Sequence, residues 1–131
     1  MKKIIYVLVI LSLLLVGCKN KENTVSNTII NYEGKSQNWE VTYKIEGNEK
    51  KHDSYYTFKY IGTDEKPKAE VQYSIDGPKE GESDQFLLKD NNEYSGKMKN
   101  TGGMPNDTDR GINVKVEWDG KTELLVLSEL K

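Results

Sequence analysis

The sequence predicts an all-β domain, arranged as an antiparallel two-sheet sandwich of about seven strands behind an N-terminal signal segment. Three observations favour this class. Apolar and polar residues alternate along several short segments, turn-forming residues separate these segments at fairly regular intervals, and no convincing helical pattern follows residue 18. Because alternation leaves each strand with one apolar face, two sheets can hide these faces against each other.

The signal segment is the first element of the chain. After a short basic start, the thirteen residues 4–16 include only Ser12 as a small polar residue. A membrane-spanning helix needs roughly 20 apolar residues. The run is too short for that and is typical of the apolar part of a secretory signal, so residues 1–17 are interpreted as a signal peptide outside the folded domain.

The residues that end this segment, Leu15-Val16-Gly17-Cys18, resemble the lipobox of bacterial lipoproteins. The resemblance implies cleavage before Cys18 and attachment of a diacylglycerol to its sulfur. Acyl chains such as palmitate would then anchor the mature protein in the cell membrane, on its extracytoplasmic face; two chains hold a protein stably, whereas one holds it only marginally. Cys18 is also the only cysteine, which excludes a disulfide within the chain.

A polar segment separates Cys18 from the predicted strands. Residues 19–27 have no hydrophobic period and are typical of a tether. We predict a lipidated cysteine and a flexible tether over 18–38, followed by the sandwich domain over 39–131. The alternative is that residues 28–32 form a first edge strand, and the sequence leaves this choice open.

The predicted strands follow one another from Trp39 to the C-terminus. Four apolar residues alternate with polar ones over 39–46, which is the pattern of a half-buried strand. Turn signals separate six further segments, which cover 54–61, 69–75, 84–89, 93–101, 112–118 and 122–127. The strand count resembles that of immunoglobulin-like sandwiches, although the cysteine pair of antibody domains is absent.

The last two segments form the clearest predicted hairpin, because Asp119-Gly120 lies between them. A two-residue loop pairs Val114 with Leu125, whereas a three-residue loop with a bulge pairs Val114 with Leu124. A shift of one residue exchanges the two faces of a strand. The sequence therefore leaves open which leucines are buried.

The balance of charge excludes one class of function. The chain carries 19 basic and 21 acidic residues, for a formal net charge of -2, and Arg110 is its only arginine. Nucleic-acid-binding domains usually carry a basic patch or stripe, so we expect no nucleic-acid partner. The acidic residues all follow Cys18, and we expect the domain to be tethered to the membrane rather than adsorbed on its anionic surface.

Few residues are candidates for chemistry. His52 is the only histidine and is predicted to lie in a solvated hairpin turn, so neither a catalytic triad nor a histidine-rich metal site is expected. Asp107 and Asp109 alternate before a glycine in a long polar loop over 102–111, which makes them weak candidates for binding a ligand or calcium. Tyr55 is predicted to be exposed, because its neighbours occupy the other face of their strand.

These patterns predict a lipid-anchored, extracytoplasmic and non-enzymatic domain. It would contact another component of the cell envelope, such as a protein, through its loops or an edge strand. The alternative is a surface lipoprotein that binds a small ligand or calcium with the 102–111 loop, because loops on β scaffolds often carry binding functions. No catalytic residue, resident metal or cofactor is assigned from the sequence.

Overall fold

The computed structural model describes residues 25–100 and 102–131, so the predicted signal peptide and Cys18 lie outside the described residues. Residues alternate between buried and more exposed along most strands, as the period-two pattern predicts. The eight strands are β1 (Thr28–Lys35), β2 (Trp39–Gly47), β3 (His52–Tyr60), β4 (Val71–Asp76), β5 (Gly81–Phe86), β6 (Glu93–Asn100), β7 (Ile112–Trp118) and β8 (Lys121–Glu129).

All eight strands belong to one antiparallel sheet, in the order β5-β4-β7-β8-β1-β2-β3-β6, which is nearly closed into a barrel. The prediction of an all-β domain is confirmed, but the prediction of a two-sheet, immunoglobulin-like sandwich with seven strands is wrong. The physical reason is that strands with one apolar face can bury it in two ways. They pack across two sheets, or they line the inside of one sheet that closes on itself.

The additional strand β1 makes the sheet continuous. It pairs with β2 along its whole length and with β8 through Tyr32 and Glu33. Residues 28–35 are therefore part of the domain, which corrects the tether predicted over 18–38. The alternative of a strand at 28–32 is confirmed, except that this strand is interior to the sheet. Gly34 allows β1 to approach β8 closely, since an added Cβ would lie 2.8 Å from the carbonyl oxygen of Val126.

The hairpin of β7 and β8 has the two-residue loop. Val114 pairs with Leu125, and Asp119 and Gly120 have φ angles of 44° and 74°. Positive φ at both central positions is the requirement of the type I′ turn, whose twist matches that of the flanking strands. Leu125 is therefore buried, while Leu124 points outward and is 74% exposed.

Aromatic side chains fill the interior of the barrel. The ring of Trp39, which is 0% exposed, meets the rings of Tyr60, Phe86 and Trp118 edge-on at centroid distances of 5.3, 6.1 and 5.6 Å. A barrel of eight strands is just wide enough for side chains to fill it. These rings thus form the core, and the surfaces that remain for recognition are the outside of the barrel and its two ends.

The strand connections define these ends. The capped end carries the start of β1 and the connections 48–51, 77–80 and 102–111, and the far end carries the connections 36–38, 61–70, 87–92 and 119–120. Strands β5 and β6 are the two edges of the sheet, and no ladder joins them among the described residues. Instead, Phe86 stacks on Tyr94 across the seam, with ring centroids 4.3 Å apart and an angle of 7° between the planes.

Candidate functional site

The predicted binding loop 102–111 closes the capped end of the barrel, and groups from the interior hold its backbone. The Nδ1–H of His52 donates to the carbonyl oxygen of Gly102 at 2.6 Å, because a carbonyl can only accept. The hydroxyl of Tyr32 donates to the carbonyl oxygen of Thr108 at 3.2 Å. Both donors are buried, so two of the loop's carbonyl groups point toward the barrel.

Two contacts to neighbouring connections fix the same loop from outside. The backbone N–H of Met104 donates to the carbonyl oxygen of Asn48 at 2.9 Å, and the Met104 side chain packs on the core. The ammonium group of Lys79 donates to the carbonyl oxygen of Gly103 at 2.8 Å. The loop is thus a structural cap that joins the β2–β3 and β4–β5 connections.

Asp107 and Asp109 are exposed on this cap. The carboxylate of Asp109 lies 3.9 Å from the ammonium group of Lys131. Burial raises the pKa of Tyr32, and the negative charges of Glu129, Asp107 and Asp109 raise it further. Within residues 25–100 and 102–131, no group of three or more His, Cys, Asp or Glu side chains is arranged to hold a metal ion.

His52 is not a solvated turn residue, which corrects the prediction. It is the first residue of β3 and is 3% exposed. Strand β3 begins two residues earlier than the sequence indicates, so the imidazole lies beneath the cap and bonds to Gly102. His52 therefore has a structural role, because it holds the backbone of the cap in place.

We expect His52→Ala to lower the free energy of unfolding by about 1–3 kcal/mol, because the partly buried carbonyl of Gly102 would lose its donor. Urea unfolding measures the loss, and hydrogen exchange should show faster opening of the amide of Met104, in the cap. Substitution of an exposed residue such as Lys50 should change stability by less than about 0.5 kcal/mol. A loss that small for His52→Ala would contradict the structural role.

Tyrosine hydroxyl groups form a second polar feature inside the barrel. The hydroxyls of Tyr56 and Tyr73 are 2.8 Å apart and buried. Burial raises the pKa of both tyrosines, and their mutual hydrogen bond and the nearby Glu82 carboxylate raise that of Tyr56 further. Burial also raises the pKa of Tyr43, partly offset by a hydrogen bond from Ser54. The hydroxyls of Tyr56 and Tyr73 therefore satisfy each other within the core.

The outer face of β2, β3 and β6 carries rows of side chains in register. In one row, Tyr55 lies between Lys44 and Lys97, whose ammonium groups are 4.5 and 4.8 Å from its ring centroid. Lys97 also donates to the Tyr55 hydroxyl at 3.1 Å. Glu46 and Asp53 pair with these two lysines, each at 3.0 Å. Tyr55 is therefore half-buried and held in place, rather than simply exposed as predicted.

A groove of about 300 Å³ runs beside Tyr55 on this face. The neighbouring row contributes Thr42 and Thr57, which are paired across β2 and β3. The opposite wall is formed by Leu130, whose backbone N–H donates to the carbonyl oxygen of Asn31 at 2.8 Å. The sequence indicated Tyr55 but missed Asn31 and Leu130, because only the pairing of β1 with the C-terminal segment brings them to the groove.

None of the described residues belongs to an apolar helix with the length required to traverse a bilayer. The geometry offers two surfaces of interest: the cap at 102–111, where Gly102, Gly103 and Thr108 use their carbonyl oxygens within the fold, and the groove beside Tyr55. No protein-family model, curated protein or solved structure matches this chain.

Proposed function

We propose that this protein is a lipid-anchored, non-enzymatic module on the extracytoplasmic face of the cell membrane, where it binds another component of the cell envelope. The observation that carries the proposal is the lipobox-like sequence Leu15-Val16-Gly17-Cys18 directly after an apolar run of thirteen residues. A packed β domain begins shortly after that cysteine, at Thr28. This arrangement suits a small domain that acts close to the membrane surface.

The start of β1 suggests how the domain is oriented. Only residues 19–27 separate Cys18 from β1, and the tether predicted from their sequence would span roughly 15–18 Å over nine residues. Because β1 begins at the capped end, that end would face the membrane. The far end and the sides of the barrel would then remain accessible to an envelope partner.

The non-enzymatic part of the proposal is supported by the position of the one histidine. His52 donates from beneath the cap and is 3% exposed, so it is committed to closing the barrel. The net charge of -2 favours an envelope partner over nucleic acid. We do not extend the proposal to calcium, since Gly102, Gly103 and Thr108 of the cap already use their carbonyl oxygens within the fold.

Intact mass spectrometry of the protein from its host tests the anchor. We expect the mature chain to lack residues 1–17 and to carry a diacylglycerol on Cys18, and Cys18→Ser to keep residues 1–17 and lose the lipid mass. Ser26→Ala is the matched control, since it lies between the anchor and β1, and its mass should differ from wild type only by the substitution. An unprocessed wild-type chain without lipid would overturn the proposal.

Fluorescence quenching tests the orientation in the same membranes. Because the lipid blocks Cys18, a dye can be attached to a single new cysteine. Asn106→Cys places the dye on the cap, and Leu87→Cys places it at the far end; both positions are exposed. A quencher carried in the lipid headgroups should reduce emission more strongly at position 106. Equal quenching, or stronger quenching at position 87, would refute the orientation while leaving the anchor intact.

A further inference from the structure

A third surface, on the outside of β8, exposes apolar side chains in a row. Side chains alternate between the two faces of a strand, and Leu125 and Leu127 fill inward positions in the core. Leu124 and Val126 therefore point outward, and they are 74% and 64% exposed. The outward positions of the neighbouring strand β7 are all polar or charged, namely Asn113, Lys115 and Glu117. The outside of β8 thus departs from the polar pattern beside it.

The row continues onto β1 at the capped end. The backbone N–H of Leu130 donates to the carbonyl oxygen of Asn31 at 2.8 Å, which places these two residues side by side. Ile29 lies two residues before Asn31 on the same outward face, within diagonal reach of Leu130. Leu130 and Ile29 are 57% and 54% exposed. We name the row formed by Leu124, Val126, Leu130 and Ile29 the β8 stripe, and exposed apolar surface of this kind marks a site of contact with a protein or a membrane.

The start of β1 places the β8 stripe next to the proposed anchor. Thr28 begins β1, which pairs with β8, and residues 19–27 separate it from Cys18. Because an extended chain covers at most about 3.6 Å per residue, the chain from Cys18 to Thr28 reaches at most about 36 Å. A lipid on Cys18 would therefore keep the stripe close to a bilayer. Contact between the two would be intramolecular, so even a weak contact would persist.

We propose that the β8 stripe lies in the membrane interface, with the barrel tilted toward β8. The proposal deepens the envelope-binding role by naming the lipid bilayer as the partner of this face, and it rests on the proposed lipidation of Cys18. The tilt keeps the capped end toward the membrane and covers only the side formed by β8 and β1. These strands are central in the strand order, so the edges β5 and β6 lie on the opposite side of the nearly closed barrel and face away from the lipid.

The charges beside the stripe favour apolar contact over attraction to anionic lipids. Lys35 and Lys115 lie on the strands that flank β8. The ammonium group of Lys35 is 2.8 Å from the carboxylate of Glu40, and that of Lys115 is 3.1 Å from the carboxylate of Glu117. Each of these lysines has a carboxylate beside it, so they add little free positive charge toward lipid phosphates. The contact should therefore persist in zwitterionic lipid.

Fluorescence quenching by lipids tests the proposal in the lipidated protein, isolated from its host and reconstituted in phosphatidylcholine vesicles. A dye on Leu124→Cys reports the stripe, and a dye on Ser83→Cys is the matched control, since both positions belong to one row across β8, β7, β4 and β5. The quencher is a nitroxide on the acyl chain near the headgroup. We expect quenching at position 124 to be at least about twofold stronger, because interfacial apolar side chains lie about 5–10 Å into the headgroup and acyl boundary. Equal quenching at the two positions would overturn the proposal.

Two charge variants examine the cause of the quenching. Val126→Glu should reduce quenching at position 124 to the level of position 83, because a carboxylate resists transfer out of water. Gln72→Glu adds the same charge on the outer face of β4 and should leave quenching at position 124 unchanged. If Val126→Glu also left it unchanged, the stripe would not be the contact.

Two further readouts separate the other outcomes. Disulfide-linked dimers of the undyed Leu124→Cys variant, together with absence of quenching, would assign the stripe to a second copy of the chain and overturn the proposal. The intact mass of the same sample reports the lipid on Cys18. A lipidated protein without preferential quenching would refute the membrane contact alone, whereas a protein without lipid would refute the anchor and the contact that rests on it.

Discussion

Replacing Trp39 with alanine is expected to lower the free energy of unfolding by about 3–5 kcal/mol, the range for large aromatic residues in cores. Trp39 is 0% exposed and contacts three other rings of the core. The substitution removes these contacts and leaves a cavity that rigid rings cannot fill. Since domains are stable by only about 5–15 kcal/mol, urea denaturation should show a large shift of the midpoint.

Trp39→Phe separates the effect of packing from that of the indole N–H. The Nε1 atom of Trp39 is buried and has no hydrogen-bond partner, and an unsatisfied buried donor costs about 1–3 kcal/mol. Phenylalanine removes that donor along with part of the ring. We therefore expect Trp39→Phe to cost less than about 1.5 kcal/mol. A loss equal to that of Trp39→Ala would contradict this account of the core.

Gly96→Ala should lower the free energy of unfolding by about 2–3 kcal/mol, because it overpacks the core. Gly96 on β6 pairs with Tyr56 on β3, and an added Cβ would overlap the Tyr56 ring. That ring is not free to move, since its hydroxyl bonds to that of Tyr73 and its ring packs edge-to-face with Phe58. Thermal unfolding followed by circular dichroism measures the loss.

Two further variants control for this mechanism. In Gly120→Ala the new methyl group has open space around it, and the only cost is the backbone strain of an alanine at a φ of 74°. We therefore expect the free energy of unfolding to fall by about 1 kcal/mol. In Tyr56→Leu, the ring that blocks position 96 is absent, and adding Gly96→Ala should then destabilise the protein much less than it does alone. If the two substitutions changed the free energy of unfolding additively, the Tyr56 ring would not be the cause of the loss in Gly96→Ala.

The sequence predicts those parts of the fold that depend on the pattern of residues within a single strand or turn. Alternation identified β2, β4 and β7, because each residue's face follows from its position in an extended chain. The same pattern placed β5 later than the structure does, at 84–89 rather than Gly81–Phe86. The polar residues of β5 lack the alternation of a half-buried strand, since this strand is an edge of the sheet.

The candidate sites show the same limit. Tyr55 was identified because the period of β3 separates it from Tyr56 and Phe58, and the aspartates were identified by their spacing. The burial of His52 and the contribution of Leu130 to the groove depend instead on contacts between residues far apart in the chain. No local pattern encodes such contacts.

Local sequence patterns are enough to show that the chain is all-β, that Asp119-Gly120 turns between two strands, and that a lipobox-like sequence precedes them. These properties follow from the backbone preferences and the order of neighbouring residues. Contacts between distant parts of the chain are needed to show that one sheet curls nearly into a barrel, that β1 joins β8 to β2, and that segment 102–111 caps an end. The reason is that an apolar face specifies that it must be buried, but the strand that covers it is selected by hydrogen bonding and packing across the whole chain.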